Sequence, residues 1–205
     1  YSCFAFVMTD GAKLKFIYYT LDMQRLNTEE INISGVLCCD IDQYRKEFVM
    51  GLAPSEEHPY PMVASFAVRQ PSNTRIVSIH RKSIRVRSHM GTSVIQTACM
   101  DLISNFLIMT DSGSIAGLDS SLLDVLWEVP NTVFRFHARR IMTDRFGGDF
   151  MVYCADDEDG GGSVARGHLE YWRTPTNYAT ILDGMSERSV IPIKGAFLGA
   201  TLETT

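Results

Sequence analysis

The most basic run in the chain is His80 to His89, HRKSIRVRSH. Arg85 and Arg87 stand two apart, so on a strand they face the same way, and Arg81 and Lys82 precede them. Cations grouped like this suit an acidic partner peptide or a phosphate backbone. They equally suit a solvated outer strand. Interleaved aromatics of the kind that mark an RNA-recognition signature do not accompany them. Arg81, Lys82, Arg85 and Arg87 are the candidate partner-binding residues. Arg135, Arg139 and Arg140 form a second, sparser basic group.

Other chemistry-bearing residues lack the spacing that catalysis needs. Asp156 to Asp159 places four acids before three glycines, without the alternate ligands and distal Glu of a calcium loop. This reads as a solvated hairpin loop. His58, His80, His89, His137 and His168 are scattered, with no HxH or HxxxH pair to hold a metal. No nucleophile elbow occurs. The five cysteines, Cys3, Cys38, Cys39, Cys99 and Cys154, each lie in an apolar run. Their odd number and scatter argue against a disulfide framework and a zinc site. They read as reduced, buried residues of an intracellular protein. Asp40, Asp101 and Asp144 recur near strand ends and read as turn caps. Trp127 and Trp172 read as packing residues. No cofactor or metal is expected.

With 205 residues, 45% apolar and 21% charged, the chain can bury a sizeable core. A net charge of −5 is a poor prior for a general nucleic-acid binder. No apolar run approaches the ~20 residues of a membrane-spanning helix, and no signal peptide is recognisable. The chain opens on Tyr and enters a strand-like run almost at once, so it reads as part of something longer.

The elements that must carry these residues are strands. Between Ser93 and Val129, four short apolar segments (94–100, 106–110, 115–118 and 124–129) are separated by Asp, Ser, Asn and Gly. That is the pattern of one antiparallel meander of four strands. The rhythm recurs. Phe48, Phe106 and Phe150 each open a β-branched or Met-rich strand, five to eight positions after the recurring Asp40, Asp101 and Asp144. The first unit shows only the later half of the pattern, from near Phe6. The units run over about 1–34, 35–82, 91–130 and 133–184, with Tyr178 to Leu182 as the last strand of the fourth. The tail, 185–205, reads as the start of a further blade; the alternative is that its stretch from Val190 to Leu202 supplies the missing strand of the first blade and closes a ring of four. The expected fold class is all-β, a β-propeller of four-stranded antiparallel blades with further blades outside this chain; a sandwich or barrel is the alternative.

Leu21-Asp22, Leu118-Asp119 and Trp172-Arg173 stand where the third strand of a WD-repeat blade ends in Trp-Asp, and Asp111-Ser112-Gly113 supplies the turn before such a strand. The sequence therefore resembles a degenerate WD-repeat (WD40-like) β-propeller. The stretch Asp111 to Asp119, with Leu126-Trp127-Glu128, also looks like a quinoprotein-type propeller repeat. The WD-repeat likeness implies a non-catalytic scaffold for protein–protein interaction in a multiprotein complex, within the cytoplasm or nucleus. One specific form is a substrate-receptor-type adaptor, although Trp172-Arg173 lacks the Asp usual there. The expected partners are other protein subunits, with no membrane. Two further readings are weighed and not favoured: a nucleic-acid-associated subunit using residues 81–87, and a propeller enzyme with a central pocket.

Overall fold

The computed structural model describes residues 3–42, 47–57, 59–68, 76–83, 93–100, 105–130, 137–144, 149–155, 166–173 and 188–194. Within them every regular element is a β-strand. The first sheet orders β1 (Cys3–Thr9), β2 (Leu14–Thr20) and β3 (Arg25–Ile31). The second orders β4 (Val36–Asp42), β5 (Glu47–Leu52), β6 (Met62–Val68) and β7 (Ile76–Ser83). The third has β8 (Val94–Met100), β9 (Asn105–Thr110), β10 (Ile115–Asp119) and β11 (Val125–Val129). The fourth has β12 (His137–Thr143), β13 (Asp149–Ala155), β14 (Arg166–Arg173) and β15 (Arg188–Lys194). All pairings are antiparallel between sequence neighbours. Each sheet is therefore a plain meander.

Short polar turns make these meanders possible. Asp10 accepts the backbone N–H groups of Lys13 at 2.8 Å and Ala12 at 3.0 Å, and Gly11 takes a φ of +91°. The same N–H bonds hold the Asp10 carboxyl below its ordinary range, that of Lys13 contributing most. Asp119 accepts from Leu122 and Ser121 at 2.6 and 3.0 Å. Such Asx turns are local chemistry that a sequence displays openly.

Three apolar cores lie between consecutive sheets. One joins Leu14, Phe16, Tyr18 and Ile31 of the first sheet to Phe48, Met50 and Leu52 of the second. Another joins Val49 and Val63 to Cys99, Phe106, Ile108 and Leu118 of the third. The last joins Leu107, Met109, Trp127 and Val129 to Ile141, Phe150, Val152 and Trp172 of the fourth. Alternation along β9 explains the division: Phe106 and Ile108 face backward, Leu107 and Met109 forward. A strand covered on both faces reads as an unbroken apolar run, and all six residues of β9 are buried.

The fourth sheet differs from expectation at its outer edge. Its last strand is β15, which pairs with β14 from Arg166↔Lys194 to Trp172↔Arg188. Residues 188–194 therefore complete this sheet instead of opening a further blade. Residues 178–182, expected to form that strand, lie outside the described residues. Pro192 sits on this edge strand, opposite His168, where proline's missing N–H is tolerated.

The recurring aspartates also sort differently. Asp40 lies inside β4, not in a turn. Asp101 is outside the described residues. The positions that match are Asp42 and Asp144, each five residues beyond its strand's bulge and each 2% exposed.

Candidate interaction surface

The first strands β4, β8 and β12 stand side by side, with β8 packed against both of the others. Each carries a bulge near its start. The register shifts between Val36 and Cys38, between Val94 and Gln96, and between Ala138 and Arg140. A bulge lifts one residue out of the ladder. The lifted residues are Leu37, Ile95 and Arg139, all exposed.

Side chains along these strands reach across to a neighbouring sheet. Gln96 Nε2 donates to Ile141 O at 2.6 Å, and Ile141 N–H donates back to Gln96 Oε1 at 2.9 Å. Asp40 Oδ2 accepts Cys99 N–H at 2.8 Å. Thr143 Oγ1 donates to Cys99 O at 3.2 Å. The inner ends of neighbouring sheets are thus held by directional bonds as well as by apolar packing.

The first sheet breaks the series. Among the described residues no strand pairs with the far side of β1, the place that β4, β8 and β12 occupy in their sheets. The hairpin bond from Asp10 N–H to Lys13 O fixes the alternation along β1: Val7 and Thr9 turn their backbone polar groups away from β2. Beside that edge lies a groove of about 360 Å³ between β1 and β4. Val7, Thr9, Leu14, Val36, Cys39 and Ile41 contribute to its walls. The Cys39 thiol is pushed up to about 12, by burial first and by the neighbouring Asp40 carboxylate second. Burial likewise raises Cys38. Both are protonated at neutral pH and act as small apolar groups. On the outer face of the same sheet Phe6 is 47% and Met8 56% exposed, and Leu26 is also exposed. The aligned residues Phe106 and Ile108 of the third sheet are fully buried.

One polar cluster lies deep in the fourth sheet. His168 Nε2 and Glu170 Oε1 are 2.7 Å apart, and Trp172 Nε1 donates to Glu170 Oε2 at 3.2 Å. Cys154 lies opposite His168; potential metal-ligating atoms of Cys154, His168 and Glu170 fall within 4.8 Å of one another. Two ligands of a tetrahedral zinc stand roughly 3.3 Å apart at ordinary bond lengths. The 2.7 Å separation is that of a hydrogen bond, and both Glu170 oxygens already accept one. The cluster wedges the third strand in place: every side chain in it is buried and bonded.

Of the sequence-nominated residues, Arg81 and Lys82 fall on the outer strand β7, paired with Ala64 and Val63. Arg85 and Arg87 lie outside the described residues, as do Asp156 to Asp159.

No known protein-family signature matches this sequence, and no curated protein is recognisably similar in sequence. Solved structures are similar in fold. A chain in the crystal structure of the mitotic checkpoint complex superposes with a TM-score of 0.52 at 10% identity, over 84% of this chain and 47% of that one. The β-propeller domain of Myceliophteria thermophila Cps50 (Swd1) superposes with a TM-score of 0.50 at 13% identity, over 81% of this chain and 50% of that one. The fold is a β-propeller built of antiparallel blades, as the strand rhythm led us to expect. The chain spans about half the length of these neighbours. No helix among the described residues is long and apolar enough to cross a membrane.

Proposed function

We propose that this chain is a non-catalytic propeller scaffold that holds protein subunits together in an intracellular multiprotein assembly. The observation that carries this reading is the outer face of the first sheet. Phe6, Met8 and Leu26 stand exposed there, while the corresponding faces of the later sheets are packed. Apolar side chains gathered on an open sheet face mark a contact surface. One fold neighbour is itself part of a complex, the mitotic checkpoint complex, which is consistent with this role. The basic residues Arg81, Lys82, Arg85 and Arg87 are a second proposed contact, suited to an acidic protein segment.

The test is purification of the tagged chain from its native cells, followed by sizing and cross-linking mass spectrometry. Fixed-stoichiometry subunits are expected, reduced by Phe6→Glu with Met8→Glu and, separately, by Arg85→Glu. A chain that elutes alone, or with an unchanged subunit set in both variants, overturns the reading.

A further inference from the structure

We propose that the pocket between the β3–β4 link and the β5–β6 loop takes a lysine or arginine side chain, with the apolar residue beside it, from a segment of another protein. This goes beyond the scaffold reading above and rests on it only for the occupant being a protein. The pocket has a volume of about 620 Å³, inside the ~300–1,000 Å³ usual for ligand sites. Ile33 and Leu52, both buried, contribute its apolar floor, and Ala53 and Met62 extend it. Glu56 and Glu57 belong to the same lining and are exposed.

The walls are fixed within the free chain. Ala53 N–H donates to Gly35 O at 2.6 Å, and Gly35 N–H donates to Gly11 O at 3.4 Å. Ile33 and Leu52 also belong to the core shared by the first and second sheets. A site shaped in advance spares its ligand the cost of ordering it.

Charge decides what enters. Among the described residues no cation lines this pocket, and neither Glu56 nor Glu57 has an ion-pair partner. A guanidinium or ammonium group there gains charge-assisted hydrogen bonds to carboxylates. Lysine and arginine carry that group on an apolar stem, which suits the apolar floor. The net charge of −5 draws cationic partners toward the chain as a whole. The same carboxylates repel a phosphate backbone, so the site favours a basic protein segment over nucleic acid. A small cation alone would leave the apolar floor wet, whereas a segment with an apolar neighbour covers it.

The probe is a capped, fluorescent pentapeptide, Ala-Leu-Arg-Leu-Ala, with a twin that carries citrulline in place of arginine. Citrulline keeps the shape and removes the charge. With the full chain, the arginine peptide is expected to bind saturably, and the citrulline twin at least ~10-fold more weakly, about 1.4 kcal/mol. Because the protein is unaltered in this comparison, a folding defect cannot imitate the result. Glu56→Gln combined with Glu57→Gln should weaken the arginine peptide to a similar degree and leave the melting temperature nearly unchanged. Equal binding of both peptides, or binding indifferent to the double substitution, overturns the proposal. Butylguanidinium that competes as well as the peptide overturns a polypeptide ligand.

The natural occupant is located by a photo-cross-linking residue at position 54 in the native assembly. A cross-link to a lysine- or arginine-bearing segment of a different polypeptide supports the proposal. A cross-link to the same polypeptide overturns it. Absence of peptide binding while native subunits still copurify overturns this site alone and leaves the scaffold reading standing.

Discussion

Gly117 of β10 lies directly opposite Trp127 of β11, and the indole occupies the space where a side chain at position 117 would stand. A Cβ there would come within 2.3 Å of Trp127 Cε2 and 2.5 Å of its Nε1. The indole then stacks on Phe150 of the fourth sheet, with centroids 5.6 Å apart and planes 13° from parallel. Phe150 stacks in turn on Trp172 at 6.2 Å and 8°. A residue without a side chain in the third sheet thus lets three aromatic rings bridge two sheets. Gly117→Ala should cost about 1–3 kcal/mol by overpacking, and thermal melting would register it. In a Trp127→Leu background the same substitution should cost clearly less, which a double-mutant cycle measures. Equal costs in both backgrounds would show that the ring does not limit position 117.

The reciprocal bonds between Gln96 and Ile141 join sheets across 45 residues of sequence. Gln96→Leu keeps most of the volume but leaves one N–H and one C=O unmatched beside a sheet interface. About 1–3 kcal/mol should be lost. Hydrogen exchange at the Ile141 amide should accelerate more than exchange at Phe106 or Ile108. Uniform acceleration would mean that the side chain acts on global stability only.

Two turns at corresponding places, the second one residue longer, hold a non-glycine residue in the left-handed region, Met23 at φ 60° and Leu123 at φ 56°. Thr20 N–H donates to Gln24 O in one, and Asp119 N–H to Asp124 O in the other, each at 2.9 Å. The side chains differ in surroundings: Met23 is exposed and Leu123 is buried in the core between the second and third sheets. Met23→Gly removes backbone strain at little packing loss and should raise stability by up to about 1 kcal/mol. Leu123→Gly forfeits a buried side chain and should cost about 2–5 kcal/mol. Denaturant midpoints that move the same way for both would contradict this difference in burial.

Cys39 supplies a pH dependence. Its thiol is raised from an ordinary 9.0 to about 12 in the folded chain, so above pH 9 the unfolded state loses that proton while the folded state keeps it. Stability is unaffected below about pH 9 and falls as pH rises toward 12. Cys39→Ser or Cys39→Ala should flatten the decline between pH 9 and 11. Iodoacetamide should alkylate folded Cys39 far more slowly than the unfolded chain at pH 8. Equal rates would place the thiol in water.

The third sheet was legible almost residue for residue, and for one reason. Its strands are buried on both faces, so each is a continuous apolar run punctuated by Asp, Ser or Gly. The runs read at 94–100, 106–110, 115–118 and 124–129 correspond to strands at 94–100, 105–110, 115–119 and 125–129. An outer strand carries less signal. Arg188-Ser189-Val190-Ile191-Pro192 mixes charge, hydroxyl and proline with two β-branched residues, and the more regular Tyr178 to Leu182 carries the stronger strand signal. Cross-sheet bonds left no trace at all. Asp40 looked like a turn residue because Asp usually is one, yet it stays in β4 and bonds Cys99 of the next sheet. That partner, distant in sequence, is visible only once the sheets are stacked.

The bulges on β4, β8 and β12 separate two demands that normally compete for the same residue. Ladder positions answer to packing, which tolerates few exchanges. Leu37, Ile95 and Arg139 answer to solvent and to whatever approaches the inner rim. Their aliphatic, aliphatic and cationic identities show the latitude already in use. Selection can therefore rewrite the rim's chemistry three letters at a time without loosening a sheet.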